Sequence, residues 1–448
     1  MKRAVCALVM AAVLVLPAMA PAAPWAIVAA NFNPADAAGP YYDEREGIFT
    51  VDLGTSPPHV YGPFLQGVLT DTAGSQVLDV AMLPNGRDAL LSNFGDQKIY
   101  KISFSDPKNP AYGGELRMRW DTGTVDPITS EPIIYSFYAE DIAVARDGSF
   151  AIVSDGGFSP YLGFVNPTTF RLKKIQKTVS GAITINSNAV AISPDGKTVL
   201  TVDYFAGKVY SARVNATKDG LTNFRSLFLC DNVDPIDRTK CLGTMGRPVN
   251  VTISPDGMTA LVALASASKD PTGVNTPVSG RVAVLRIDPA TGRIFKGAPF
   301  WVAGIPARDS LTPPLPSGPG GNQSVAITPD GARAFVLTQP IGEVDDPNSD
   351  DPLVKINRIN MLAQLRVTGP GRAALVSAKY KALSSRGASQ LFGVETLAVD
   401  GTGRWAIVGN PTFSDATNIL TGVNLMTGAK VSITLPHEAI PIGVAFTR

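Results

Sequence analysis

Residues 188–203 read N-A-V-A-I-S-P-D-G-K-T-V-L-T-V-D, two alternating apolar runs joined by Pro194-Asp195-Gly196. Val, Ile and Thr suit a pleated surface and Pro-Asp-Gly presets a tight turn, so the stretch predicts a strand, a turn and a second strand. The same pattern recurs along the chain. Toward the N-terminus it appears over residues 77–104 as L-D-V-A-M-L, Pro84-Asn85-Gly86 and R-D-A-L-L-S-N, with K-I-Y-K-I-S-F as a third strand. It appears again as D-I-A-V-A, Arg146-Asp147-Gly148 and S-F-A-I-V-S-D. Toward the C-terminus follow V-T-I-S with Pro255-Asp256-Gly257, V-A-I-T with Pro329-Asp330-Gly331, and a degenerate L-A-V-D with Gly401-Thr402-Gly403. A period of this extent predicts one repeat domain, not the roughly three domains that the length alone would suggest.

A seventh copy is split. The chain ends in P-I-G-V-A-F-T-R (441–448), the first strand of a copy cut off at its turn, while W-A-I-V-A-A-N (25–31) and G-I-F-T-V-D-L (47–53) supply its second and third strands. Sharing one unit between the two ends seals a ring of sheets and removes the open edges of a linear array. The expected fold is therefore all-β: a single seven-bladed propeller of four-stranded antiparallel blades, closed by pairing the N-terminal strands with the C-terminal one. The 42 Gly and 36 Pro fit short strands and turns better than helices, whose interiors tolerate neither.

Lys2-Arg3, the apolar run at 4–16 and the small residues of Pro17-Ala18-Met19-Ala20 have the form of a secretory signal peptide. Residues 1–22 are read as that leader and 23–448 as the propeller, which places the mature protein in the periplasm or outside the cell. No later segment approaches the about 18 apolar residues of a membrane-spanning helix. Without Lys2 and Arg3 the chain carries 37 basic and 38 acidic side chains, with none of the basic excess a nucleic-acid binder uses to displace counterions. Cys230 and Cys241 are then the only cysteines, and in an exported chain such a pair predicts a disulfide.

The repeats, with P-I-G-V-A at 441–445 and the S-P-D-G turns, resemble the YVTN family of β-propellers and the related lactonase-type seven-bladed propellers over about residues 25–448. That resemblance implies the fold. Such propellers include enzymes, enzyme subunits and binding modules, so function has to be argued from the site. It also implies that the inner strands begin at a top face, where the long connections lie, and that the Pro-Asp-Gly turns lie at the bottom, which reads as bland.

Candidate site residues fall at the top. Phe32, Phe94, Phe158, Tyr204 and Phe413 follow second strands and form a candidate aromatic rim. Asp79, Glu140, Asp141, Asn188, Asn250, Gln323 and Glu395 stand where inner strands begin and ring the channel mouth. Together they suit a ligand cup with apolar walls and a few fixed polar groups; the competing reading has the aromatics wedged between blades and the polar groups holding channel water. His437, Glu395 and Arg247 are the candidates for acid-base work on an ester-like bond. Asp346, Asn348 and Asp350 place oxygen ligands at alternate positions, as a Ca²⁺ loop does, but lack the Gly and the distal Glu of such loops; a solvated acidic loop is the favoured reading and no cofactor is expected. The reading that results is a binding or scaffold module with a small-molecule or protein partner at its top face. The alternatives are a lactonase-like hydrolase and a non-catalytic subunit of a periplasmic redox enzyme.

Overall fold

The structure is a computed structural model that describes residues 24–32, 46–69, 77–125, 129–156, 161–177, 187–268, 280–305, 308–309, 320–340, 344–345, 355–356, 358–359, 361–376, 381–382, 397–409, 419–436 and 439–447. The organising stretch forms the strands Ser187–Ile192 and Thr198–Asp203, the inner pair of a four-stranded antiparallel sheet completed by Lys208–Val214 and Leu221–Phe228. Seven such sheets, the fifth with an added two-residue strand at Lys381–Ala382, are arranged as a seven-bladed β-propeller. Numbered in chain order, blade one opens with Val77–Met82, blade two with Ala139–Val144, blade three with Ser187–Ile192, blade four with Met245–Ile253, blade five with Gly320–Ile327 and blade six with Leu397–Val399. Blade seven is the shared one: Ala439–Phe446 is its inner strand, and Trp25–Phe32, Glu46–Asp52 and His59–Phe64 follow outward. The Thr447 N–H donates to the Trp25 carbonyl at 2.9 Å where the two ends of the chain meet.

Each second strand is buried on both faces, and its alternation supplies two interfaces at once. In Thr198–Asp203, Val199 packs toward blade two, whereas Leu200 and Val202 pack toward blade four. The same division around the ring gives seven apolar clusters, one at each junction between neighbouring blades. The core is therefore a ring of seven seams.

The Pro-Asp-Gly turns explain their own recurrence. In blade three the Gly196 N–H donates to the Ser193 carbonyl at 2.8 Å, Pro194 takes the first corner, and Asp195 Oδ1 accepts from the Lys197 N–H at 3.0 Å. The glycine closes the turn at φ +69°, and its counterparts lie between +67° and +73°. That region favours glycine because an L side chain is strained there. The glycine has a second role: a Cβ added at Gly331 would lie 3.3 Å from Pro255 Cδ, and one at Gly403 would lie 3.6 Å from Pro329 Cδ. The proline of one blade thus nests on the glycine of the next. In blade six the hydroxyl and carboxylate exchange places, since Thr402 Oγ1 donates to Asp400 Oδ2, and Gly401 stands where blades one, three, four and five have proline and blade two has Arg146.

Candidate functional site

The inner strands begin with an irregularity that turns polar side chains sideways. Register shifts occur after Val77, Ala139 and Ser187 in the first three blades and around Pro248 in the fourth. At these shifts Asp79 and Asp141, both buried, reach the next blade: Asp79 Oδ2 accepts from the Ile142 N–H at 3.0 Å, and Asp141 Oδ2 from the Val190 N–H at 2.6 Å. Asn250 Oδ1 accepts from the Val325 N–H at 3.2 Å in the same way. Three residues of the predicted polar ring therefore join blades at the top of the channel. A carboxylate accepting buried backbone N–H groups makes a charge-assisted bond that also satisfies donors with no water to turn to.

Glu140 belongs to a different arrangement. Residue 156 occupies the position that is Phe94 in blade one and Tyr204 in blade three, and it is glycine. A Cβ there would lie 2.8 Å from Phe94 Cε2 and 3.0 Å from Glu140 Cδ. The side chain missing from blade two is thus replaced by Glu140, 4% exposed, and by the Phe94 ring, whose centroid is 5.1 Å from that of Tyr138. The structure brings together Glu140 and Phe94, as the ring-and-rim reading expects, and adds Tyr138 and Gly156. The missing aromatic in Ser154-Asp155-Gly156 was the signal that could have located this junction.

Tyr204 and Arg247 form the second described group. Tyr204 is half-buried against the seam between blades four and five, its ring 5.1 Å from that of the more exposed Phe205. Arg247 lies with its guanidinium carbon 5.4 Å from the Tyr204 centroid, a cation–π distance. Among the described residues no carboxylate pairs with it. Its position depends on an extension of the blade-four inner strand, braced by the loop before it. Cys230 and Cys241 are disulfide-bonded, with Cα atoms 5.8 Å apart. Cys230 bridges to Met245, Thr244 N–H donates to Asp231 Oδ1 at 2.6 Å, and Gly246 N–H donates to the Leu229 carbonyl at 2.8 Å. Arg247 follows directly.

Phe158, Phe413, Glu395, His437, Asp346, Asn348 and Asp350 lie outside the described residues. Phe32, Asn188 and Gln323 are placed by backbone alone, within Trp25–Phe32, Ser187–Ile192 and Gly320–Ile327. Among the described residues no helix is long and apolar enough to cross a membrane, and no group of three or more His, Cys, Asp or Glu could hold a metal ion.

The second strand of blade three ends in a further buried acid. Asp203 Oδ1 accepts from the Ala206 N–H at 2.9 Å, and Oδ2 has no hydrogen-bond partner among the described residues. Burial raises its carboxyl above the ordinary range, against the opposing effects of that N–H and of Lys208. Burial, reinforced by the nearby Asp203 charge, pushes the Tyr210 hydroxyl up to about 12. Asn31 and Asn93 hold the equivalent positions in blades seven and one.

No family model matches the chain, and no curated protein matches it in sequence. Solved structures do resemble it. A functionally unknown protein from Desulfotomaculum acetoxidans superposes with a TM-score of 0.59 at 15% identity, over 95% of this chain and 99% of that one. The periplasmic gluconolactonase of Pseudomonas aeruginosa gives 0.55 at 14%, over 94% and 99%. A putative 6-phosphogluconolactonase from Bacteroides uniformis gives 0.55 at 11%, over 95% and 99%. At these identities the likeness defines the class by fold alone, a seven-bladed propeller of the architecture that lactonase-type proteins share.

Proposed function

We propose that the chain is an exported binding module, periplasmic or secreted after loss of residues 1–22, that takes a small molecule or protein partner at the top of its channel. The observation that carries the reading is Arg247: a guanidinium set on an aromatic face, with no described carboxylate spending its donors, held by a disulfide-braced strand. Such a group suits the carboxylate or phosphate of a ligand, because the planar fork matches two oxygens at once. Glu140, Phe94 and Tyr138, at the junction of blades one and two, provide a second polar and aromatic anchor. The disulfide fits an oxidising compartment.

Thermal shift against a panel of sugar acids, their lactones and dicarboxylates tests this, since a ligand that binds only the folded state raises Tm. A shift that disappears in Arg247→Gln is expected; one that persists there refutes the role given to Arg247. The lactonase-like alternative places His437, Glu395 and Arg247 at the same mouth and draws support from fold neighbours described as lactonases. Proton release from the lactones, lost in His437→Ala, would favour that reading over simple binding.

A further inference from the structure

The Pro-Asp-Gly turns ring the bottom of the channel, and that end opens into a cavity of about 860 Å³. The ring of turns around it is not uniform. Blades three, four and five present Pro194, Pro255 and Pro329 to the mouth. Blade six has Gly401 in place of proline, and a Cβ built there would meet nothing within 4 Å. Blade seven has no turn at that point, because its first two strands come from opposite ends of the chain. Blade two also lacks the proline, having Arg146 there, and the cavity is lined from blade two round to blade seven, with two indoles on the six–seven side: Trp405 begins the second strand of blade six and Trp25 that of blade seven.

The charges at this mouth favour one sign. Arg404 and Arg146, on blades six and two, line it and are exposed, and no described hydrogen bond or ion pair engages either guanidinium. The one acid in the lining is Asp400, and it is committed to its own turn: Oδ1 accepts from the Arg404 and Trp405 N–H groups, both at 2.7 Å, and Oδ2 from Thr402. The carboxylate beside Arg146 is also occupied, since Asp147 pairs with Lys218 at 2.7 Å and accepts from Ser149. Inward, Pro329 and Gly401 are shared with a second cavity of about 370 Å³, lined by inner-strand segments whose side chains are apolar apart from Thr252 but whose exposed wall is as much polar as apolar.

We propose that this bottom mouth is a second binding site, separate from the top face, for a small organic anion with a flat apolar body, an aromatic carboxylate in chemical class. The indoles and proline rings at the mouth offer flat apolar walls that take the ring, and the guanidinium groups there receive the carboxylate. The cavity volume lies within the range that small-molecule sites occupy, about 300 to 1,000 Å³.

Isothermal calorimetry of the full chain with 2-naphthoate as probe tests the site. Binding is expected, weakened about tenfold in Arg404→Gln and again in Arg146→Gln, and about tenfold or more for the uncharged 2-naphthamide. Both arginines are exposed, so each variant should keep the parent melt. Arg247→Gln, at the opposite face, should bind 2-naphthoate as the parent does. Absence of binding at millimolar 2-naphthoate, equal affinity for the amide, or parent affinity in both bottom-face variants would overturn the proposal; loss in Arg247→Gln alone would place the probe at the top.

Discussion

Replacing Asp79 by Ala separates the two uses a carboxylate can have at the channel mouth. In the structure Asp79 is fully buried, its Oδ1 accepting from the Val80 N–H at 2.6 Å and its Oδ2 from the Ile142 N–H of the next blade at 3.0 Å. Alanine removes both acceptors and leaves two buried N–H groups without partners. Each orphaned donor costs about 1 to 3 kcal/mol, or about 2 to 6 together, and relief of the buried charge offsets part of this. A loss of about 2 to 4 kcal/mol is therefore expected. Asp79→Asn keeps one acceptor and should lose about half as much. Urea unfolding followed by far-UV circular dichroism measures the loss as a fall in the midpoint at unchanged slope. Ligand affinity at the top face should change little once the variant is folded. If Asp79→Ala unfolds within about 0.5 kcal/mol of the parent, a difference typical of surface changes, the interblade bond is not what the residue is for.

Deleting residues 441–448 removes most of the inner strand that pairs with Trp25–Phe32, so the truncated chain should aggregate or lose its cooperative melt, whereas a parent-like melt would contradict ring closure. Alkylation without reductant, followed by mass measurement, should find no free thiol at Cys230 or Cys241; reduction should lower stability by at most about 3 kcal/mol, less if the loop opens alone, and should weaken any ligand shift that depends on Arg247. Asp203→Asn should raise Tm at neutral pH, because the native carboxyl titrates above its unfolded value and its ionised form is the one burial penalises. The sign follows: the native protein gains relative stability as pH falls through the raised value, so the advantage of Asn should shrink in acid, and a Tm difference constant between about pH 4 and 8 would refute the assignment. If Asp346, Asn348 and Asp350 hold Ca²⁺, millimolar Ca²⁺ should raise Tm and Asp350→Ala should abolish the rise; no shift, the expected result, supports a solvated loop.

Blade number and ring closure were legible because strand alternation and turn chemistry are local and repeat. Ser193-Pro194-Asp195-Gly196 states its turn in four letters, and the split copy states the closure. What the letters do not carry is which side chain faces a neighbouring blade. Asp79 and Asp141 look like ligand groups ringing a mouth, but a shift of register turns them toward backbone N–H groups more than forty residues away. Glu140 precedes Asp141 directly and lies instead against Phe94, in space that exists only because residue 156 is glycine. The bottom face reads as uniform from its turns, yet Arg146 and Gly401 stand where blades one, three, four and five have proline, one turn is absent at the seam, and the face holds a cavity. Such features depend on non-local packing, which a pattern of period two does not encode.

The most direct test of a binding role at the top face is the crystal structure of protein purified from its native host. The account predicts electron density for a bound molecule or partner segment in contact with the Arg247 guanidinium and within reach of Glu140 and Phe94. A top mouth filled by the protein's own loops, or a co-purified ligand seated away from both groups, would contradict it.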